Sequence, residues 1–595
     1  ELQLGVLPED EALELLKRIV DRDGSSRIED ELETAKEICR YLGYLPLALE
    51  LAATYLVEDE MLSLGEYWQQ LNLQDRSISD EMVKYITAER GVVSAFALSW
   101  LRLRDLSPQV AMLLGRFALA DIPWQDLVEP TVKSLGWDET AVRKGRIQLA
   151  NLHLISIREQ KNIGIHSLLR EYFRWQADNE GDNFIHFLQR AIVETGISIS
   201  KTIPRTPVKA DIERVQLAIP HLDILSHEML DDIPNLEEDL LWAFTGILRF
   251  YEGQGFYALA EDPCQRGLKA TQELLGDLHF SVSISINNLA FLYHSQGRYE
   301  EAEPLFKQAL SLMQKVLGER HPDVATSINN LAFLYYSQGR YEEAEPLYIQ
   351  ALSLSQELLG DHHPNVATSI NSLALLYRLQ GRYEEAEPLL KQALTLYQEL
   401  LGERHPYVAT SLNNLAGLYK SQGRYEEAEP LYKQALVLYQ ELLGERHPNF
   451  AASINNLALL YYLQGRYEEA EPLLKQALSL RQELLGERHP DVASSINDLA
   501  ALYDSQGRYE EAEPLCKQAL SLRQELLGEQ HPDVALSMNN LAVLYESQGK
   551  YEEAEILYTK TLKIVEVSLG MEHPNTKECR NSLQSLRDRQ TPPSN

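Results

Sequence analysis

The chain is poor in cysteine, with four in 595 residues at Cys39, Cys264, Cys516 and Cys579, and none of them in a CxxC or other ligand spacing. That scatter argues against a disulfide framework and a cysteine-built zinc site, and it fits a reducing cytoplasm. Long apolar runs are missing too: none approaches the roughly 18–20 residues that a membrane span requires. Basic residues are the minority, 55 against 89 acidic, for a formal charge of −34. A surface of that sign repels nucleic acid and anionic membrane and keeps a long exposed molecule soluble. No GxxxxGK[ST] string occurs and no apolar strand ends in paired aspartates, so the phosphate loop and magnesium ligands of NTP hydrolysis are not in this sequence. No Ser/His/Asp, Cys/His or metal-ligand cluster replaces them, so no catalytic residue is assigned. The sequence opens at Glu1 without an initiator Met or a charged-then-apolar leader, and it is expected to be a piece of a longer polypeptide.

What the sequence has is repetition. Gly297, Gly339, Gly381, Gly423, Gly465, Gly507 and Gly549 stand 42 residues apart without a slip, each in a string such as SQGRYEEAEPL. Gly255, with Tyr251, Tyr257 and Ala260, marks a worn copy ahead of them, and Pro574 opens a closing half-copy. Each unit predicts two helices. In the copy from Pro322 to Gly360, Pro322 suits a first helical position, and Ile328, Leu331, Ala332 and Tyr335 make an apolar stripe at i, i+3, i+4, i+7. Gly339 breaks this helix, because glycine takes the left-handed cap conformation freely. The second helix is predicted from Glu342 to Leu359, with Ala344, Leu347, Tyr348, Ala351 and Leu352 inward and Glu342, Glu343 and Glu345 at its positive end. Pro346 lies past its first turn and predicts a bend or a later start. Neither helix can bury its stripe alone, so the units must stack into a solenoid.

Leu331, Ala332, Tyr335, Gly339, Tyr341, Ala344 and Ala351 match the tetratricopeptide signature in a 42-residue form. The strings NNLAFLY, GRYEEAEPLYIQAL and LGERHPDVA resemble the repeats of kinesin light chains and of bacterial sensor proteins. That resemblance covers about 240–588 and implies a protein or extended peptide as partner. Such proteins place asparagines on a ligand-facing stripe, and here Asn287, Asn329, Asn371, Asn413, Asn455, Asn497 and Asn539 recur at one slot. An amide both donates and accepts, so a ladder of them can pair with a peptide backbone; equally, such residues can link adjacent helices or face water. Two neighbouring slots vary: one holds Phe291, Phe333, Leu375, Gly417, Leu459, Ala501 and Val543, and the other holds His294, Tyr336, Arg378, Lys420, Tyr462, Asp504 and Glu546. Constant backbone grips beside variable pockets suit extended-peptide recognition. The order of charges predicts a ligand that is acidic against Arg378 and Lys420 and basic against Asp504 and Glu546, with an apolar anchor at Phe291, Phe333 and Tyr336. The recurrent histidines His321, His363, His405, His447, His489, His531 and His573 stand one per unit before Pro and read as turn residues rather than metal ligands.

Ahead of the repeats, helices are predicted near 9–21, 29–42 and 45–57. The turn Gly43-Tyr44-Leu45-Pro46-Leu47-Ala48-Leu49 resembles the glycine–leucine–proline–leucine motif of NB-ARC signal-transduction NTPases, with Tyr44 as a departure. Helices over 91–150, then Leu154-Ile155-Ser156-Ile157, a Glu159–Asn162 turn and Ile163-Gly164-Ile165, suggest a winged helix with a two-stranded wing. Ile165-His166-Ser167-Leu168-Leu169-Arg170-Glu171-Tyr172-Phe173 resembles the methionine–histidine–aspartate motif of the same family, with Ile165 and Ser167 as departures. The resemblance implies that Pro46 packs beside adenine and His166 meets an ADP phosphate, once an upstream nucleotide-binding domain is present; this chain alone implies no cofactor. The predicted layout is therefore predominantly all-α: a helical domain over 1–90, a winged helix over 91–178, a helical spacer over 179–236 with stretches near 184–201 and 209–228, a solenoid over 237–588 and a loose tail over 589–595. By this resemblance the chain is the sensor arm of an NB-ARC (STAND-class) switch, whose ligand relieves an ADP-bound closed state and permits assembly. A kinesin-light-chain-like adaptor and a winged-helix regulator of DNA, resting on Arg143, Lys144 and Arg146, are the alternatives.

Overall fold

A computed structural model describes residues 5–22, 24–158, 162–228, 239–571 and 573–590. The turn expected at Glu159–Asn162 and the tail lie largely outside the described residues. The chain is predominantly helical and divides into two compact units, one of Glu1–Thr202 with Glu213–Ala243, the other of Ile203–Ile212 with Phe244–Asn595. Among the described residues, no helix is long and apolar enough to cross a membrane.

In the first unit, helices Glu9–Val20, Leu32–Tyr41, Pro46–Glu58, Leu64–Ser77 and Arg90–Leu101 bury Leu16, Ile38, Leu49, Leu71 and Phe96. Ser63 and Glu66 form a reciprocal cap that fixes the start of Leu64–Ser77. Gly91 sits so close to the Tyr41 carbonyl that a Cβ would lie 2.0 Å from its oxygen, so only glycine fits this helix crossing. Farther along, helices Ser107–Arg116, Glu139–Asn151 and Ser167–Asn179 surround a small antiparallel sheet of β1 (Asp121–Ile122), β2 (Ser156–Ile157) and β3 (Ile163–Gly164) in the order β1-β3-β2. Asp121 and Ser156 both face Gly164, and Ile122 and Ile157 both face Ile163. The expected two-strand pairing of 156–157 with 163–164 thus gains a third strand from the 121–122 segment, which is too short to show an alternating pattern. The stretch expected as one helix over 209–228 is two, Lys209–Val215 and Ile219–Glu228. His221, in the first turn of the second of these, is buried, and its ring Nε2 lies 2.8 Å from the Asp121 carbonyl.

The second unit is a run of helix pairs. The worn copy is Leu240–Glu252 with Tyr257–Leu275. Seven regular pairs follow, from Phe280–Ser295 with Tyr299–Leu317 to Pro532–Ser547 with Tyr551–Ser568, and Pro574–Gln590 closes the run. Ala332, Leu334, Ala344, Tyr348 and Ala351 are all buried, as are their equivalents in the other copies. The alanines let the paired helices approach, and the Leu and Tyr side chains fill what remains at about 1.5–3 kcal/mol each. The second helix of the pair discussed above begins at Tyr341, one residue before the expected Glu342, and carries Pro346 inside it. The Arg340 carbonyl accepts from the amides of Glu343 and Ala344, so the first turn is closed ahead of the proline.

Candidate ligand groove of the solenoid

The ladder asparagines lie on first helices, and Asn287, Asn371, Asn413 and Asn455 bond to the next copy. Asn330 Nδ2 donates to Asn287 Oδ1 at 3.2 Å, Asn414 Nδ2 to Asn371 Oδ1 at 3.1 Å and Asn456 Nδ2 to Asn413 Oδ1 at 3.3 Å. Linking adjacent helices is therefore one task of the ladder, using the acceptor of each amide and leaving the Nδ2 donors of Asn287, Asn371 and Asn413 for another partner. Asn455 is fully engaged, donating to Asp498 at 2.8 Å and accepting from Ser495 at 3.1 Å. Ser372 interrupts the series: Asn329 Oδ1 is buried without a hydrogen-bond partner, and so is Asn497 Oδ1. Among the described residues, Asn539 makes no hydrogen bond of this kind.

The variable slots join into one run. Phe291 stacks on His294 at 6.1 Å, His294 meets Phe333 at 4.5 Å, and Phe333 stacks on Tyr336 at 6.1 Å and 15°. Burial pushes His294 down to about 4, so its ring is neutral, and its Nε2 lies 2.8 Å from Ser337 Oγ. Burial raises the Tyr336 hydroxyl, while the Arg378 guanidinium that it meets pulls the other way. Arg378 in turn reaches over Gly417, where a Cβ would lie 2.4 Å from Nη1, and its Nε is buried without a partner. Lys420 follows one copy on. Burial pushes its ammonium down to about 8, with repulsion from Arg378 adding and Asp498 opposing. Among the described residues, neither Arg378 nor Lys420 has a carboxylate within ion-pair distance, whereas Arg298, Arg340, Arg382, Arg424, Arg466 and Arg508 each hold two.

The far end differs from the charge order read in the sequence. Glu546 accepts from the Tyr558 hydroxyl at 3.0 Å and from Arg589 at 2.8 Å, so the closing helix already neutralises it. Asp504 has one carboxylate oxygen buried without a partner, and burial raises its pKa against a Ser547 hydrogen bond. Tyr462 meets Ser505 Oγ at 3.0 Å. In the first unit, Pro46 opens its helix, and His166 caps Ser167–Asn179 by accepting the Leu168 amide on Nδ1 at 3.2 Å; burial lowers its pKa.

The tetratricopeptide repeat profile matches residues 240–315, 281–339, 323–399, 370–441, 407–482, 449–515 and 505–567, more than half of the chain. The chain belongs to the tetratricopeptide repeat family. No curated protein matches it. Among solved structures it is similar to BtubC (BKLC) from P. vanneervenii, 30% identical over 39% of this chain and 92% of that one, TM-score 0.31. It is also similar to a signal transduction ATPase with numerous domains that carries a tetratricopeptide repeat sensor, from Pyrococcus horikoshii, 14% identical over 98% and 74%, TM-score 0.47. A Rap protein complexed with competence and sporulation factor is 17% identical over 59% and 98%, TM-score 0.42.

Two features of these tetratricopeptide units escaped the sequence reading. The recurrent histidines are helix caps: His321, His363, His405, His447, His489, His531 and His573 each accept, on Nδ1, the amide two residues on at 3.0–3.2 Å. The HP dipeptide, an acceptor placed before a proline at the first helical position, was the signal. The arginine of each GRYEE string clamps neighbouring tetratricopeptide units. Arg340 reaches Glu343 in the helix that it opens and Glu303 in the second helix of the preceding copy, and stacks over Tyr335 at 3.9 Å.

Proposed function

We propose that the tetratricopeptide solenoid is the sensor arm of an NB-ARC-type signalling protein and holds an extended, acidic protein segment along the stripe from Phe291 to Lys420. The observation that carries this reading is the unmatched pair Arg378 and Lys420, standing where an aromatic run ends, in a solenoid whose GRYEE arginines each hold two carboxylates. A carboxylate-bearing segment supplies the missing charge, an apolar residue ahead of it covers Phe291, Phe333 and Tyr336, and the free Nδ2 donors of Asn371 and Asn413 take its backbone carbonyls. Aromatic anchors and buried contacts supply most of the affinity, and charge chiefly sets partner choice and association rate. In the same reading, Pro46 and His166 face ADP held by an upstream domain, and the bound partner relieves the closed state. The resemblance of the GYLPLAL and IHSLLREYF strings supports that part, and the Nε2 of His166 is left over for a phosphate after its Nδ1 has capped the helix. In that reading this chain performs no chemistry of its own, any NTP turnover belongs to the upstream domain, and the switch works in the cytoplasm.

Selection of displayed random peptides on the full chain tests the groove. Wild-type protein should enrich sequences with an aromatic or aliphatic residue followed by Asp or Glu. Asn413→Ala and Phe333→Ala should weaken the selected peptides, and Arg378→Glu/Lys420→Glu should reject them. Equal enrichment on folded wild-type and charge-reversed proteins would refute the assignment.

A further inference from the structure

The second unit touches itself one coil turn later. His489 Nε2 lies 3.0 Å from the Ser295 carbonyl, His531 Nε2 lies 2.9 Å from that of Ser337, and His573 Nε2 lies 2.6 Å from that of Leu379, each across 194 residues. His447 meets the backbone of Gly253 at the same offset. The prolines follow their histidines. A Cβ on Gly255, Gly297, Gly339 or Gly381 would lie 2.4–2.8 Å from Pro448, Pro490, Pro532 or Pro574, while Gly423, Gly465, Gly507 and Gly549 have open space around them. All eight glycines share a φ of 71–76°, so the contrast comes from docking and not from the turn itself.

Both ring nitrogens are committed in this arrangement. Nδ1 accepts the amide of its own helix, which leaves the proton on Nε2 to be donated to the earlier turn. A second proton would set an N–H on Nδ1 against the helix N–H and break the cap. We propose that the solenoid is a coil latched turn on turn by its His-Pro caps, a latch that holds only while the imidazoles are neutral and that screens the start of the ligand stripe. The screening follows from what docking brings near. Asp491 acts on His294, and Asp533 acts on Tyr336.

The charges around the latch are few. Asp491 and Asp533 stand 3.9 Å from the Nδ1 atoms of His489 and His531 and bring negative charge to the latch. Arg481 and Arg523 oppose them from the neighbouring helices, bonded to the Asp491 and Asp533 carbonyls at 3.1 and 2.8 Å. From the earlier turn, His294, Tyr257, Tyr299 and Tyr341 face this aspartate pair, Glu252 and Arg249 flank Gly253, and Arg378 precedes Leu379. Burial pushes His447 down to about 4 and also lowers His573. A depressed imidazole stabilises the closed coil fully above its free value of about 6.5, and that stability is lost as pH falls below it.

X-ray scattering by the full chain reads the coil directly, together with far-UV circular dichroism. His447→Asn/His489→Asn/His531→Asn/His573→Asn keeps a good helix cap but removes the reaching donor. It should enlarge the radius of gyration at pH 7.5 with helicity unchanged, and its radius should then ignore pH. His321→Asn/His363→Asn/His405→Asn, the same caps in the first turn, should match wild type. Asparagine tolerates the left-handed turn, so Gly297→Asn/Gly339→Asn/Gly381→Asn should also expand the coil, and Gly423→Asn/Gly465→Asn/Gly507→Asn should not. Wild type should expand as pH falls from 7.5 to 5.5, still above the isoelectric point of about 4.9. Equal radii for all variants at pH 7.5, or a wild-type radius constant to pH 5.5, would overturn the latch. Its effect on ligand access rests on the groove reading, but scattering does not, so either can fail alone.

Discussion

Removing one clamp arginine should loosen two neighbouring tetratricopeptide units by a calculable amount. Arg340 binds Glu343 through two parallel bonds, Nε to Oε1 and Nη2 to Oε2, both 2.7 Å. Its Nη1 donates to Glu303 at 2.9 Å and to Gln338 at 2.9 Å, and its guanidinium covers the Tyr335 ring. The side chain is about one-third exposed, so each charge pair contributes only about 0.5 kcal/mol, at the screened end of the range for surface pairs. The stacked ring adds about 0.5–1 kcal/mol. Arg340→Ala should therefore cost about 1.5–2 kcal/mol, and Arg340→Lys, which keeps a charge but loses the fork, about half of that. Hydrogen exchange is the suitable assay, because a long repeat array does not unfold as one unit. Amides in 299–359 should exchange about 10–30-fold faster in Arg340→Ala, with distant copies unaffected. The hydrogen bond from Arg340 holds Glu343 below the usual carboxylate range, so this stabilisation is complete above about pH 4.3 and is lost as pH falls further. Exchange within twofold of wild type across 299–359 would refute the clamp.

Three other expectations follow from packing and bonding. Gly91→Ala drives a methyl into the Tyr41 carbonyl and should destabilise the first unit by about 1–3 kcal/mol, read as an earlier transition in a thermal melt. Asn455→Ala removes two hydrogen bonds and strands a partner on Asp498, so it should cost about 1–3 kcal/mol by local hydrogen exchange, more than Asn413→Ala, which removes one. Lys550 takes the clamp position in the last regular copy and lies 3.2 Å from Glu513; Lys550→Arg should slow exchange in 551–568 by the equivalent of about 0.5 kcal/mol.

The solenoid was legible in the sequence because its causes are local. Pro322 and Gly339 mark the first helix, and the i, i+3, i+4, i+7 stripe marks its buried face, so Ile328, Leu331, Ala332 and Tyr335 are all buried. The start at Tyr341 was missed by one residue, and the bend or later start that Pro346 predicted is not needed, since the Arg340 carbonyl closes the turn ahead of the proline. The groove was half legible. Side chains at a shared slot were placed on one stripe by spacing alone, but their partners were not. Glu546 is taken by Arg589, which stands 43 residues away at the slot that regular copies fill with Ser337 or Ser505. The third strand, Asp121–Ile122, is held by pairing with β3, and a dipeptide carries no periodicity of its own. The contacts across 194 residues depend on how much each copy rotates against the next, a quantity that no stripe encodes.

That offset bears on how such a chain can change its length. It equals four periods of 42 plus 26, so a contact formed by one copy is offered again by each copy that follows. Duplicating or deleting a whole unit hands every HP dipeptide to another glycine turn of the same kind, and no new interface has to arise. An insertion of any other length would break that register. Unequal recombination between near-identical units can therefore lengthen the coil without loosening it, while the variable slots remain free to diversify.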